Sequence, residues 1–305
     1  MANVDLLVIG GSGFVGAKLT QAAARTGLNV AYTYLNHELR LSGSPFKVDV
    51  LDAQAVELCI AKSRPGTVVY CANPPPQSYD AEHQKLSVEG VQNLIGVLDP
   101  SSCKLVYVST NAVFSGKRGN YSENDTPDPE DKQDLYQEYG IAKALGERLV
   151  LNDWPNSIVV RTADVNGRDV DGRLNSRLEF LVRQLRAGRE LERLSRCYIS
   201  PTLVDDLVAG LLQASSRNFN YKGILHLAGS ERVSYYDFTR LIARQIGADE
   251  ELVRPDVSRE QDLSLDTKHT QQILSTRFLS VRDQLSDIFP DSGITAPNKR
   301  SSALF

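Results

Sequence analysis

A chain of 305 residues is long enough for one large two-part domain or for two ordinary ones. An apolar fraction of 41% with 24% charged residues is that of a soluble globular protein, and a formal net charge of -4 excludes the basic surplus of a general nucleic-acid binder. No apolar stretch approaches the roughly twenty residues that span a bilayer, and the opening residues 1–5 lack the basic flank of a secretion signal. Cys59, Cys71, Cys103 and Cys197 form no C-x-x-C pair, two of them lie in apolar segments that read as strands, and the four histidines show no metal-ligand spacing. Composition therefore predicts a soluble, cytoplasmic, metal-free protein with a small-molecule partner, no nucleic acid and no membrane; a homodimer is left open.

Apolar runs at 4–9, 30–35, 67–71, 105–109 and 158–162 read as buried strands. Between them lie helical spacings; Val88, Val91, Leu94, Ile95 and Leu98 recur at three- and four-residue steps and share one face. Strand–helix alternation needs crossover connections and predicts an α/β fold, a doubly wound parallel sheet with helices on both sides. Beyond about Val165 the pattern loosens. A Gly-, Asp- and Arg-rich loop at 166–175 precedes helices at 178–186 and 203–212, a strand at 224–228, and a helix capped by Ser234 that runs to about Ile246. The polar stretch from Ser292 to Phe305 reads as a loose tail.

Directly after the first strand stands Gly10-Gly11-Ser12-Gly13-Phe14-Val15-Gly16, which opens the first helix. Gly10 permits the tight turn, Gly13 lets the backbone approach a pyrophosphate, and Gly16 lets helix and strand pack closely. The free N–H groups of the helix start, together with its partial positive charge, suit an anion, so this loop predicts a dinucleotide site. At the end of the second strand an acid would favour NAD, whereas Asn36, His37 and Arg40 could surround a 2′-phosphate. NADPH is therefore the preferred cofactor and NAD remains open. Asp49 and Val50 end the next short strand, where Asp49 meets the adenine edge or caps the following helix. Cys71, Ala72 and Asn73 end the fourth strand along the same crevice.

Tyr139 and Lys143 are four residues apart on a segment of good helix formers and share one face, whereas Ile141, Leu145 and Leu149 form a separate stripe able to pack on the sheet. A phenol with an ordinary pKa near 10 becomes a usable acid–base when an ammonium favours its ionised form. Upstream, a strand ends on Ser109-Thr110, so Thr110 points to the crevice beyond the strand ends and can steady a carbonyl or alkoxide oxygen.

With these elements the chain resembles an extended short-chain dehydrogenase/reductase and is most similar to the dTDP-4-dehydrorhamnose reductase family, over about residues 4 to 290. The resemblance is carried by Gly10 to Gly16, Val69-Tyr70-Cys71-Ala72, Tyr79-Asp80-Ala81-Glu82, Ser109 to Gly116, Tyr139 to Lys143 with Gly146-Glu147, Arg161-Thr162, Pro201 to Leu207, Gly223 to Gly229 and Leu265-Asp266-Thr267. It implies hydride transfer from reduced nicotinamide to a keto group on a nucleotide-linked sugar. Tyr139 would be the proton donor, Lys143 would bind the nicotinamide ribose and tune Tyr139, and Thr110 would steady the oxygen. It further implies a Rossmann cofactor domain from residues 1–165 with 202–228, and a substrate-binding part from 166–201 with 229–291. The substrate contacts fall on Asn111, Ala112, Val113 and Asp164. The family commonly has Asp-Tyr where this chain has Asn111-Ala112, a Trp where Asp164 stands and an Asn where Ser87 stands, and the run Asn73-Pro74-Pro75-Pro76 is unusual. Two alternatives keep the fold: an epimerase or dehydratase that recycles its nicotinamide, and a non-catalytic NADP-binding subunit like the beta subunit of methionine adenosyltransferase.

Of the remaining features, Arg183, Arg186, Arg189, Arg193 and Arg196, with Glu190 and Glu192 among them, read as a solvated mixed-charge surface, in which one or two could clamp a diphosphate or carboxylate. His226 reads as a satisfied core side chain, Tyr136 as a tyrosine with no lysine at the right step, and Asp205 and Asp206 as first-turn acids of a helix.

Overall fold

Short buried runs of Val, Ile, Leu and Tyr build a parallel sheet in the computed structural model, which describes residues 3–73, 81–131 and 136–290. The first half runs β1 (Leu6–Ile9), α1 (Phe14–Arg25), β2 (Val30–Tyr34), β3 (Ser44–Lys47), α2 (Ala53–Ser63), β4 (Thr67–Tyr70), α3 (Ala81–Ile95), β5 (Lys104–Thr110), α4 (Gln137–Asp153) and β6 (Ser157–Thr162). The second runs β7 (Val165–Asn166), α5 (Ser176–Arg186), β8 (Leu191–Ile199), β9 (Thr202–Leu203), α6 (Val204–Ser215), β10 (Gly223–His226), β11 (Val233–Ser234), α7 (Tyr235–Gln245), β12 (Val253–Asp262), α8 (Lys268–Ile273) and α9 (Val281–Ile288).

Among the described residues, seven strands pair in the order β10-β6-β5-β4-β1-β2-β3, and every neighbouring pair is parallel. Connections leave β1 toward β2 on one side and reach β4 on the other, which opens a crevice beyond the carboxyl ends of these strands. Alternate residues of one strand feed two cores. Leu7 and Ile9 join Val91, Leu94 and Val150 beneath α2, α3 and α4, while Leu6 and Val8 join Leu19, Leu207 and Leu211 beneath α1 and α6. With both faces covered, the strands read as unbroken apolar runs.

A third core, from Leu178, Leu181, Leu185, Phe238, Ile242, Leu285 and Ile288, gathers α5, α7 and α9. These helices accompany a three-stranded sheet in which β8 pairs antiparallel with β11 and parallel with β12. Ser234 caps α7 by accepting from the N–H of Asp237, as expected.

The five sequence-predicted strands of the first half lie within two residues of their expected ends, and the doubly wound parallel sheet is as read. Helices expected at 178–186 and 203–212 are Ser176–Arg186 and Val204–Ser215, and the strand expected at 224–228 is Gly223–His226. Asp205 and Asp206 occupy the first turn of α6. The prolines at 74–76, the motif residues at 79–80 and the polar tail lie outside the described residues.

Several expectations need correction. Of the stripe Ile141, Leu145 and Leu149, Leu149 packs against the core beneath the sheet, while the fully buried face of α4 is Gly140, Ala142, Lys143, Gly146, Glu147 and Val150. Small residues decide this docking, because a Cβ on Gly140 would lie 2.2 Å from the carbonyl oxygen of Ala112, and one on Gly146 2.3 Å from the Tyr107 hydroxyl. Charged side chains are tolerated on that face because each finds a buried partner. Asp49 does not cap α2. The cap is Asp52, which accepts from the N–H groups of Gln54 and Ala55, while Asp49 accepts from Leu51 and follows a strand that ends at Lys47. The arginine stretch divides: Arg183, Arg186, Arg189 and Arg196 are exposed, but Arg193 on β8 is half-buried over the ring of Tyr235. His226 is fully buried but only half satisfied. Its Nδ1 meets the carbonyl of Asp266 at 3.0 Å and its Nε2 has no partner, and burial brings its pKa down to about 4.

Candidate active site

Three chain segments meet at the amino end of α1. Gly10 holds a φ of +77°, a left-handed conformation that glycine adopts freely, and a Cβ there would lie 2.8 Å from the backbone of Ala72. A Cβ on Gly16 would lie 2.3 Å from the Gly10 carbonyl, so α1 could not start so close to β1 with any larger residue. The N–H of Gly10 donates to Thr33 Oγ1 at 2.9 Å, which ties the loop to β2. No side chain caps α1 at Gly13, leaving the helix start as a cradle of backbone donors suited to a pyrophosphate. The loop forms one end of a cleft of ≈ 720 Å³, within the range of small-molecule sites.

The middle of the cleft lies where β5 ends against α4. Lys143 is buried, donates from Nζ to the carbonyl of Val108 at 3.1 Å, and stands 5.0 Å from the ring centre of Tyr107 and 5.9 Å from that of Tyr139. Burial brings its pKa down to about 8, with the Cys71 thiol and the Glu147 carboxylate pulling the other way. Cys71 itself is pushed up to about 12 by burial and is an inert thiol at neutral pH. One turn beyond Lys143, Glu147 is held by Arg161 in a two-armed ion pair, with Nη2 donating at 2.8 Å and Nε at 3.0 Å. Ser109 adds a hydroxyl at 2.5 Å to the same carboxylate, and the guanidinium lies 4.9 Å from the ring centre of Phe114. This buried network fixes α4 against β5 and β6. Thr110 Oγ1 accepts from the N–H of Ala112 at 3.1 Å and closes the short 3-10 turn Asn111–Val113, while Asn111 donates to the carbonyl of Leu263 at 3.0 Å.

The far wall is built from the second half of the chain. Asp164 follows β6 with a φ of +37°, which Asp and Asn tolerate better than most residues. Its carboxylate is buried, pairs with Arg177 Nη1 and accepts from the Tyr235 hydroxyl at 3.3 Å. Asp164 raises the pKa of the Arg177 guanidinium above its ordinary value. Arg193 stacks 5.6 Å from the ring centre of Tyr235 and donates to Thr239 Oγ1 at 3.2 Å. Tyr136, at the start of α4, is 38% exposed and faces the same space.

The cleft thus gathers Gly10, Ser12, Gly13, Phe14, Val15, Gly16, Asn36, His37, Asp49, Val50, Cys71, Ala72 and Asn73 with Thr110, Tyr139 and Lys143, and with Asn111, Ala112 and Asp164 on the substrate side. It does not gather Arg40, which is exposed outside the lining, nor Val113, which the 3-10 turn rotates into a core with Phe114, Tyr121 and Leu265. Sequence reasoning missed Arg177 and Tyr235 and passed over Tyr136. No local pattern marks them; each stands at the start of a helix, a place where side chains regularly project toward a crevice.

The chain matches the RmlD substrate binding domain family over residues 4–288. It is 30% identical over 256 residues to a dTDP-4-dehydrorhamnose reductase of Mycobacterium tuberculosis, covering 82% of this chain and 78% of that one. It is 26% identical over 203 residues to methionine adenosyltransferase 2 subunit beta of Danio rerio, covering 65% of this chain and 61% of that one. In fold it is similar to the dTDP-4-dehydrorhamnose reductase of Bacillus anthracis, solved in complex with NADP, with a TM-score of 0.78 and 20% identity over 95% of this chain and 99% of that one. A cleft built on a glycine cradle and a Tyr–Lys helix, and a match that runs nearly end to end, place this chain in the RmlD substrate binding domain family.

Proposed function

We propose that the protein is an NADPH-dependent reductase of a keto group, acting on a nucleotide-linked sugar or a similar polar metabolite. The observation that carries this reading is the placement of Thr110, Tyr139 and Lys143 on the wall of the cleft that the Gly10–Gly16 cradle closes. Residues 1–165 with 202–228 would hold the cofactor, and residues 166–201 with 229–291 would close over the substrate, in a cytoplasmic enzyme free to self-associate.

When bound, the reduced nicotinamide supplies the hydride. The chain's own residues do the rest. The cradle binds the pyrophosphate through backbone N–H groups. Lys143, anchored by Val108, holds the ribose and keeps a positive charge beside Tyr139, which lowers the cost of phenolate formation. Tyr139 donates its hydroxyl proton to the carbonyl oxygen as that oxygen gains negative charge, and Thr110 donates a hydrogen bond to the same oxygen. Glu147, pinned by Arg161, is a positioning residue that keeps the face of α4 in register.

The test is stoichiometric oxidation of NADPH with dTDP-4-keto-6-deoxy sugars and related keto sugars. An epimerase or dehydratase would return its nicotinamide unchanged. Tyr139→Phe should abolish turnover and retain NADPH binding. Because one of the relatives is named as a subunit of methionine adenosyltransferase, the same variant is also assayed for cellular phenotype; a phenotype untouched by Tyr139→Phe would favour the subunit reading.

A further inference from the structure

The reduction step makes no use of the ion pair at the far wall. Asp164 is 8% exposed and Arg177 43%, so the carboxylate is sunk into the wall while the guanidinium edge faces the cleft. Among the described residues the hydrogen bond of Arg177 runs from Nη1 to Asp164, and the half-exposed side chain lines the cleft, so its five-donor planar fork has donors to offer a ligand there. Behind it stands a second guanidinium, Arg193, whose pKa is lowered by burial and further by the like charge of Arg177. Two cations and one carboxylate leave one positive charge uncompensated in a partly dry site, flanked by the phenols of Tyr136 and Tyr235. A solvent-facing guanidinium fork with surplus positive charge behind it recognises an oxyanion, and does so with directional, charge-assisted hydrogen bonds.

We infer that Arg177 receives an oxyanion carried by the substrate, with Asp164 and Tyr235 as positioning residues that aim the guanidinium and, through the carboxylate's charge, weaken its grip. The inference rests on the reductase reading only for calling the bound molecule a substrate. Two chemical sources share this oxyanion: the diphosphate of a nucleotide-linked sugar and the carboxylate of a hexuronate.

The experiment is calorimetry on the NADPH-loaded protein, with uridine diphosphate in one arm and glucuronate in the other. Binding of either supports the inference, and the arm that binds names the source. Arg177→Gln should weaken that binding about tenfold or more, Arg177→Lys should restore part of it, and NADPH affinity should not move. Asp164→Asn keeps the side-chain size, the tolerance of a left-handed backbone and an acceptor for Tyr235, but removes the opposing charge, so binding should tighten severalfold. With a turned-over substrate, Arg177→Gln should raise KM and leave kcat within about twofold. Melting temperatures confirm that each variant is folded; Arg177→Gln takes the cation from the buried Asp164 carboxylate and should melt lower, whereas Arg177→Lys keeps the charge and should melt close to wild type. Absence of binding in both arms, equal binding by wild type and Arg177→Gln, or weaker binding by Asp164→Asn would overturn the inference. The two readings fail separately: oxyanion binding without NADPH oxidation sinks the reductase alone, and turnover with an unchanged KM in Arg177→Gln sinks the oxyanion receiver alone.

Discussion

The ammonium of Lys143 stands 5.9 Å from the ring centre of Tyr139, one helical turn away on the side of α4 that lines the cleft. Burial sets its pKa to about 8, so it is charged at neutral pH and loses that charge just above it. Once neutral, the amine no longer favours the phenolate of Tyr139. We expect kcat/KM for carbonyl reduction to fall above about pH 8, and Lys143→Met to be slow at every pH without that limb. The linkage has a definite sign. Between about pH 8 and the unfolded value of 10.5 the unfolded chain binds the proton that the folded chain has released, so this group's contribution to stability rises with pH. Relative to Lys143→Met, wild type should therefore gain stability over the same range in which it loses activity. Urea titrations at several pH values read the first quantity and steady-state rates the second.

Thr110 does two jobs with one oxygen. It accepts from the N–H of Ala112 to close the turn after β5, and it faces the cleft. Thr110→Val keeps the shape and removes both. Loss of the turn cap should cost about 1 kcal/mol of stability. Loss of a hydrogen bond to the developing alkoxide should cost about 10²- to 10³-fold in kcat. Thr110→Ser should recover most of each. A variant that loses stability but not rate would remove Thr110 from the chemistry.

The glycine loop and the Tyr139–Lys143 helix were legible in the chain and the ion pair of the far wall was not, for reasons visible in particular residues. Gly10, Gly13 and Gly16 form one local turn, and Tyr139 and Lys143 lie one helical turn apart, so sequence spacing fixes their geometry. Arg177, Tyr235 and Asp164 come from three separate parts of the chain and meet only through the packing of α5 against α7 and of α7 on β8. The face of α4 was misread because apolarity was taken as the sole warrant for burial. Lys143 and Glu147 are buried since Val108, Ser109 and Arg161 satisfy them, a pairing between β5, β6 and α4 that no local pattern announces. Asp164 lies in the cleft lining, but its partner Arg177 was invisible in the sequence.

Glu147 and Arg161 are both buried, and Arg161 Nη1 already lacks a partner. Removing one charge strands the other in a low-dielectric core. Glu147→Gln should cost about 3–5 kcal/mol by denaturant unfolding, and the pair Glu147→Leu with Arg161→Met should recover much of that loss. Lys143 also loses a carboxylate that supports its charge, so in Glu147→Gln the alkaline limb of kcat/KM should move below about pH 8. A shift upward, or none with unchanged stability, would mean the ion pair does not position the helix.

Cofactor preference turns on what stands past β2. A 2′-phosphate needs donors and tolerates no facing carboxylate, whereas a ribose 2′-hydroxyl is best met by an acid. Asn36 and His37 line the cleft there, and the carboxylate of Glu38 takes the hydrogen bond of Tyr34, raising that phenol's pKa. With Glu38 so engaged, Asn36 and His37 are the side chains on which the proposed NADPH preference rests. Placing a carboxylate at the strand end by Asn36→Asp should lower the ratio of kcat/KM for NADPH over NADH by about tenfold or more, since a like charge would then face the phosphate. Arg40 is exposed and outside the lining, so Arg40→Ala should leave the ratio within about twofold. The measurement is the pair of cofactor titrations at fixed ionic strength, because an exposed arginine acting at a distance would lose its effect in salt and a contact would not. A large, salt-resistant drop in Arg40→Ala would put the phosphate beyond the cleft rim and assign its recognition to Arg40 in place of Asn36 and His37.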